Sequence, residues 1–258
     1  MCLNMSKVLT VFFSFFCLTS CYSQANARKD YSTNKKVPTN SFVKIIATID
    51  VLECKTKNGK NGKKAPLSSV CKRGSYSSVG SGISIGTIQN TSIILTAGHI
   101  CTQRVPNFVT KHTVTLRATN LQYQTRKAIV INSKLDPITS TDICLLAVPG
   151  LITDSVKISQ KSPEIGQSVY SLSAPAGIVH PPVVPILHGI FSGDVRTGQT
   201  SIITIRATGG SSGSGVLNRD MELVGILFAT HTSFNNITLM SSRRNMMQFM
   251  AESLPLLQ

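Results

Sequence analysis

Three short segments carry residue types that together can perform nucleophilic acyl chemistry. Leu95-Thr-Ala-Gly-His99-Ile-Cys101 ends an apolar run in a small-residue turn that exposes a histidine. Asp136-Pro-Ile-Thr-Ser-Thr-Asp142-Ile-Cys-Leu-Leu-Ala-Val148 leads an aspartate into a buried run, a placement that suits a carboxylate holding an imidazole from behind. Ala207-Thr-Gly-Gly-Ser-Ser212-Gly-Ser-Gly-Val-Leu-Asn218 is a glycine-rich turn with a serine at its centre. Attack of a hydroxyl on an amide needs a base within reach of the nucleophile, a group that fixes the base's tautomer, and donors for the developing oxyanion. Ser212 as nucleophile, His99 as general base and Asp142 as orienting acid meet the first two needs. Glycines around Ser212 let the N–H groups of Gly210 and Ser212 converge on one point, and loss of such a donor typically costs roughly 10²- to 10³-fold in rate. Asp136 is the rival acid; Asp142 is preferred because it adjoins the apolar run, whereas Asp136-Pro137 reads as a turn.

The elements that must hold these residues are short strands. β-branched runs bounded by Gly, Pro, Asn, Ser or Lys occur at Phe42–Leu52, Gly82–Ile88, Ser92–Thr96, Thr113–Thr119, Leu121–Ile131 and Ile143–Val148. After Pro149-Gly150 a second series follows at Ser168–Ser173, Val183–Ile190, Ile202–Ile205, Gly215–Leu217, Leu223–Ala229 and Ile237–Met240. Two such series predict an all-β chain with two small antiparallel barrels, residues 42–150 and 151–258. A C-terminal helix is predicted over Arg243–Leu254, where Met246, Met247, Phe249, Met250 and Leu254 recur at helical spacing. The Gly-Gly-Ser-Ser stretch lies between two hydrophobic runs, which argues for a turn within the fold over a linker.

The segment before the strands belongs to export. Lys7 precedes the apolar run Val8–Leu18, too short to span a bilayer and suited to a signal-peptide core. Leu18-Thr-Ser-Cys21 resembles a lipobox, which makes Cys21 the expected lipidated residue and residues 1–21 the signal; Ala25-Asn-Ala27 offers alternative cleavage before Arg28. Residues 22–41 are polar and aperiodic, as expected of a flexible tether. An envelope-anchored or periplasmic location, alternatively secretion, is therefore expected. Cys54, Cys71, Cys101 and Cys144 remain beyond the leader, and in an oxidising compartment four cysteines allow three pairings. Cys54 with Cys71 is the first expectation, since both flank one loop; Cys144, in an apolar run, is either paired or a buried free thiol.

Lys plus Arg number 26 against 11 Asp plus Glu, a net charge of +15 that favours anionic surroundings or simply solubility. The loop from Lys55 to Ser69, with Lys55, Lys57, Lys60, Lys63 and Lys64, is either a solvated hairpin excursion or a contact for an anionic surface. No spacing fits a metal site, and no cofactor and no specific nucleic acid is expected.

The histidine, aspartate and serine segments resemble the Thr-Ala-x-His, Asp-Ile-x-Leu-Leu and Gly-x-Ser-Gly motifs of chymotrypsin-fold serine peptidases, over residues 42 to 250. The serine segment is most similar to bacterial glutamyl endopeptidases, and Asp136 to Asp142 also looks like the high-temperature-requirement proteases. This resemblance implies a double antiparallel β-barrel of the chymotrypsin type, with His99 and Asp142 from the first barrel, Ser212 from the second, and the site in the cleft between. It implies a serine endopeptidase acting on protein or peptide substrates through an acyl-enzyme. Ser211 stands where digestive proteases carry an aspartate that captures a newly cut N-terminus, so that activation route is not expected. By the family pattern, Arg206 to Gly209, with Thr208, wall the primary pocket, and Phe228, Ala229 and Thr230 run beside the substrate. The histidine that reads glutamate in glutamyl endopeptidases falls at Leu227, so that mechanism is not expected; Arg206 either favours an acidic side chain or points to solvent. His231 has the same two readings, while His112, His180 and His188 are expected to be structural or exposed. The competing readings are a catalytically silent binding protein of this fold at the envelope and a basic polyanion-binding surface protein.

Overall fold

Alternation sets the first strand. In β1 (Phe42–Thr56), Val43, Ile45, Ala47, Ile49 and Val51 are buried, while Lys44, Thr48 and Asp50 on the opposite face are partly or fully exposed. The computed structural model describes residues 35–56, 69–103, 109–195, 198–231 and 234–257. The expected signal segment with Cys21, most of the tether, and the lysines of residues 57–64 lie outside these.

β2 (Ser69–Ile88), β3 (Thr91–Thr96), β4 (Val109–Thr119), β5 (Thr125–Lys127), β6 (Ile129–Asp136) and β7 (Thr141–Pro149) join β1 in a seven-stranded antiparallel sheet of order β5-β4-β1-β2-β3-β7-β6. It is a half-barrel, open between its two edge strands, β5, whose side chains are all exposed, and β6, which do not pair with each other. β8 (Ser168–Leu172), β9 (Ile186–Asp194), β10 (Thr200–Ile203), β11 (Gly215–Leu217), β12 (Leu223–His231) and β13 (Phe234–Ser241) close into a barrel of order β10-β13-β12-β11-β8-β9. The all-β, two-unit expectation holds, with closure confined to the second unit.

Two strand expectations change. β2 begins at Ser69 instead of Gly82, because β1 templates a polar stretch that no apolar pattern announces. Leu121–Ile131 is broken: the Asn120 side-chain carbonyl accepts from the N–H groups of Gln122 and Gln124, forming a local turn before β5.

The buried residues form three clusters. Ile45, Ile49, Ile94, Leu116, Cys144 and Leu146 fill the half-barrel, and Val169, Phe191, Ile203, Val216 and Val224 fill the closed barrel. Between the units lie Phe42, Leu95, Ile143 and Leu145 of the first with Leu172, Leu217 and Ile226 of the second. β7 is buried on both faces, alternating its side chains between the half-barrel core and this interface.

A single helical turn, α1 (Gly98–Cys101), follows β3, and the C-terminal helix is α2 (Arg243–Ser253). Ser242 caps α2 by accepting from the Asn245 N–H at 3.1 Å, and Met246, Phe249, Met250 and Ser253 bury one face against the interface. Met247 and Leu254, expected on that face, point outward. Among the described residues no helix is long and apolar enough to cross a membrane.

Candidate active site

His99 sits on α1, immediately after the buried strand β3, and Asp142 is the second residue of β7, which pairs with β3. The Asp142 carboxylate makes two bonds to one residue: Oδ1 accepts the His99 main-chain N–H at 2.9 Å and Oδ2 lies 2.7 Å from His99 Nδ1. Such a clamp fixes both the position and the rotation of the ring. With the Nδ1 proton shared toward the carboxylate, Nε2 carries the lone pair and faces away from Asp142. The side chain of Asp142 is 11% exposed and that of His99 35%, so the carboxylate is sheltered while the imidazole stays partly open to solvent. Gln103 Nε2 donates to the His99 and Ile100 carbonyls at 3.0 and 2.9 Å and closes the turn.

Asp136 is not at this site. Its carboxylate accepts from the Ile138 N–H at 2.9 Å and the Thr139 hydroxyl at 2.8 Å, closing the β6–β7 turn on the surface. The Thr139 hydroxyl, then the Ile138 N–H, hold its carboxyl below the usual aspartate range.

A disulfide joins Cys101 to Cys144, each two residues beyond His99 and Asp142. Cys144 is therefore paired, and the free-thiol alternative is excluded. The β1–β2 register sets Cys54 directly opposite Cys71, but their side chains lie outside the described residues.

The serine turn crosses from the closed barrel to the half-barrel. Gly210 and Gly213 have φ of +90° and +87°, a region L-residues rarely occupy. A Cβ on Gly210 would meet the Ala174 carbonyl, and one on Gly213 the Ser81 carbonyl and Thr96 hydroxyl. Gly213 thus packs against Thr96, three residues before His99, and brings Ser212 to the first unit.

The carbonyls from Thr208 to Ser212 are each held by a donor. Thr208 O accepts from Ser211 N–H (2.9 Å), Gly209 O from Ala176 N–H (2.6 Å), Ser211 O from Ser214 N–H (3.1 Å) and Ser212 O from Ser81 N–H (2.8 Å). Gly210 O accepts from the Ser81 hydroxyl at 2.8 Å. By contrast, among the described residues the N–H groups of Gly210 and Ser212 have no acceptor. A peptide's C=O and N–H point oppositely, so anchoring the carbonyls turns these donors away from the residues that hold them.

Ser81 and Ala176 did not emerge from the sequence. The available signal was the Gly80-Ser81-Gly82 triplet inside a strand, since small residues there mark close backbone approach. Ser81 is fully buried, and its hydroxyl also accepts from the Ala174 N–H at 3.0 Å.

The expected substrate-binding residues are separately placed. Phe228, Ala229 and Thr230 are partly exposed on β12, where a register irregularity against β13 between Leu227 and Ala229 turns Phe228 against the half-barrel core. The Thr208 N–H faces the Ser211 hydroxyl at 3.4 Å, and Arg206, exposed, donates from Nε to Asn236 Oδ1 at 3.0 Å. His231 is exposed at the end of β12, and the ring of His188 stacks obliquely on Tyr170. The structure joins His99 to Asp142 by hydrogen bonds; none links Ser212 to His99 among the described residues.

A family model described as the trypsin-like peptidase domain matches residues 80–226, more than half of the chain and inclusive of His99, Asp142 and Ser212. No curated protein matches the sequence. Among solved structures, a serine endoprotease from Yersinia pestis is similar in fold at 16% identity and a TM-score of 0.57, over 84% of this chain and 64% of that one. This chain thus spans less than two thirds of that protease. The active form of the Rv3671c protease from M. tuberculosis is similar at 15% identity and a TM-score of 0.55, over 84% of this chain and 82% of that one.

Proposed function

Since the chain belongs to the trypsin-like peptidase domain family, we propose that it is a serine endopeptidase whose nucleophile is Ser212, whose general base is His99 and whose orienting acid is Asp142. The observation that carries this reading is the pair of hydrogen bonds that His99 makes to the Asp142 carboxylate, at 2.9 and 2.7 Å, together with a serine turn in which two N–H groups have no acceptor among the described residues. Ser212 Oγ attacks the scissile carbonyl carbon while His99 Nε2 takes its proton. The negative charge on the former carbonyl oxygen is met by the N–H groups of Gly210 and Ser212. Collapse of the tetrahedral species breaks the C–N bond; the amine leaves with the proton from His99, and an ester to Ser212 remains. Water, deprotonated by the same histidine, then releases the acid product and restores the hydroxyl.

Protein or peptide chains are the substrates. The primary pocket is walled by Arg206 to Gly209 and by Phe228 to Thr230, following the resemblance of these segments. Arg206 supports a preference for an acidic side chain before the scissile bond, because its partner Asn236 is neutral and no carboxylate pairs with its guanidinium among the described residues. The reading extends to an exported protein, periplasmic or anchored through Cys21, on the strength of the leader and its lipobox-like end.

A fluorophosphonate probe on the purified chain tests the function. Labelling of the parent, loss with Ser212→Ala and strong slowing with His99→Ala are expected. Absence of labelling in the parent overturns the peptidase reading.

A further inference from the structure

The charge of the chain is unevenly divided. Residues 42–150 hold fourteen Lys and Arg against four Asp and Glu, whereas residues 151–258 hold seven against six. Two of the four acids are engaged elsewhere, Asp142 by His99 and Asp136 in its own turn. The first unit therefore carries the excess of cations, and strand register decides where they point.

Residues directly opposite in neighbouring strands share a face, and successive rows on that face lie two residues apart. The face of β1 turned away from the half-barrel core carries Lys44, Ile46, Thr48, Asp50 and Leu52. Opposite Leu52 stand Arg73 of β2 and Lys111 of β4. Opposite Asp50 stand Ser75 and Thr113, and opposite Thr48 stand Ser77 and Thr115. Opposite Ile46 stand Val79 and Arg117, and Lys127 of β5 is paired beside Arg117. Lys44 ends the face at the second unit, where its Nζ donates to the Gly177 carbonyl at 2.9 Å.

The rows thus set two pairs of cations apart, with hydroxyls between. Arg73, Lys111, Arg117 and Lys127 are exposed, and among the described residues none of them enters an ion pair. From Lys111 to Arg117 the face runs about 20 Å at roughly 3.3 Å per residue. A groove of about 660 Å³ opens at the first pair; its lining includes Leu52, Arg73, Ser75, Lys111 and Thr113, with Asp50 as its carboxylate.

A surface charged for solubility alone intersperses both signs. Here four cations meet one carboxylate, so the face attracts an anionic ligand. The rows between the cation pairs indicate its class. Serine and threonine hydroxyls both donate and accept, which matches the hydroxyls and ring oxygens of sugars. A nucleic-acid strand stacks its bases on aromatic rings, and no residue of these rows is aromatic. A bilayer surface is held by apolar side chains that enter it, whereas Ile46, Leu52 and Val79 are half-buried among their neighbours.

We propose that this outer face of the first unit binds a linear polysaccharide bearing carboxylates. Arg73 and Lys111 hold one acidic sugar, Arg117 and Lys127 hold another, and the hydroxyl rows hold the sugars between. Binding there uses none of the residues assigned to catalysis and does not depend on the peptidase reading.

Calorimetric titration of the purified chain with alginate oligosaccharides, which carry a carboxylate on every sugar, tests the proposal. An octasaccharide, long enough to reach both pairs, is expected to bind about tenfold more tightly than a disaccharide, and added salt should weaken it. Arg73→Gln with Lys111→Gln, and separately Arg117→Gln with Lys127→Gln, should each weaken the octasaccharide about three- to tenfold. Asp50→Asn removes the opposing carboxylate and should tighten binding about twofold, a gain that misfolding cannot produce. Ser75→Ala with Thr113→Val should weaken the octasaccharide about threefold and leave polyglutamate of equal charge unchanged, which separates a sugar site from a merely charged surface. A parental Tm verifies folding in each variant. Octasaccharide binding unchanged in both cation variants overturns the site. Equal or tighter binding of polyglutamate, single-stranded DNA or phosphatidylglycerol vesicles overturns the polysaccharide assignment. A parent that is labelled by fluorophosphonate but does not bind alginate overturns this face alone, and one that binds alginate without being labelled overturns the peptidase reading alone.

Discussion

The hydroxyl of Ser81 donates to the carbonyl of Gly210 at 2.8 Å, across the boundary between the two units. Three further bonds meet on the same residue: Ser81 N–H to Ser212 O, Ala174 N–H to Ser81 Oγ, and Thr96 Oγ1 to Ser81 O. On the proposed mechanism Ser81 is thus a positioning residue for the oxyanion turn, because it fixes the carbonyl whose orientation sets the next peptide. Ser81→Ala leaves two buried main-chain groups unpaired and is expected to cost about 1–3 kcal/mol of stability. Its functional mark is a kcat lowered about 10- to 100-fold with KM nearly unchanged, since the hole acts on charge that develops in the transition state. Ser81→Cys, with a weaker donor, should fall between. An equal loss in KM and kcat, or none in kcat, contradicts the assignment.

Asp142 and Asp136 separate cleanly by mutation. Asp142→Asn keeps the shape but cannot stabilise the imidazolium or enforce the Nδ1–H tautomer, so kcat should fall roughly 10³- to 10⁴-fold, the scale of loss when a triad holds its histidine in the wrong tautomer. Asp136→Asn should leave kcat within about twofold, because the residue closes a surface turn. Its effect is on stability, and the sign follows from the carboxyl's lowered titration. A carboxyl depressed in the folded state stabilises above its unfolded value and loses that contribution as pH falls through the folded value. The Tm difference between parent and Asp136→Asn should therefore persist near neutrality and vanish at pH below the usual aspartate range.

The Cys101–Cys144 bond closes a loop of 43 residues in sequence and fastens α1 to β7 beside the His99–Asp142 clamp. For a loop of this size the chain-entropy argument gives up to about 4 kcal/mol. Cys101→Ala with Cys144→Ala should lower unfolding free energy by about 2–4 kcal/mol in urea. Because α1 carries His99, the proposed general base, kcat/KM should fall more than in a surface variant of equal stability loss. Parental kcat/KM in a destabilised double variant would separate the disulfide from the positioning of His99.

What the sequence made legible was local. His99 follows a β-branched run, Asp142 opens one, and the glycines around Ser212 announce a strained turn, so each could be placed from its own neighbours. Ser81 could not, because its partners Gly210 and Ala174 lie 129 and 93 residues away. The extension of β2 to Ser69 was hidden for a related reason: serine, lysine and glycine carry no period-2 pattern, and the strand exists because β1 supplies a ladder. Cysteine pairing was equally non-local, set by the packing of α1 on β7. The half-barrel's opening depends on β5 and β6 failing to meet, which composition does not encode.

The proposed specificity before the scissile bond turns on Arg206. Its guanidinium donates to the neutral amide of Asn236 at 3.0 Å and makes no ion pair among the described residues. A charge compensated only by an amide and solvent gains most from a carboxylate brought by the substrate, since the two pair bidentately. Arg206→Gln should lower kcat/KM about 10- to 100-fold for substrates with glutamate or aspartate before the cut, and leave neutral ones within about threefold. Arg206→Glu should invert the order toward lysine or arginine at that position. If the parent ranks acidic, neutral and basic residues alike, Arg206 faces solvent and the pocket selects by shape alone, through the aromatic wall of Phe228 and the backbone of Thr208.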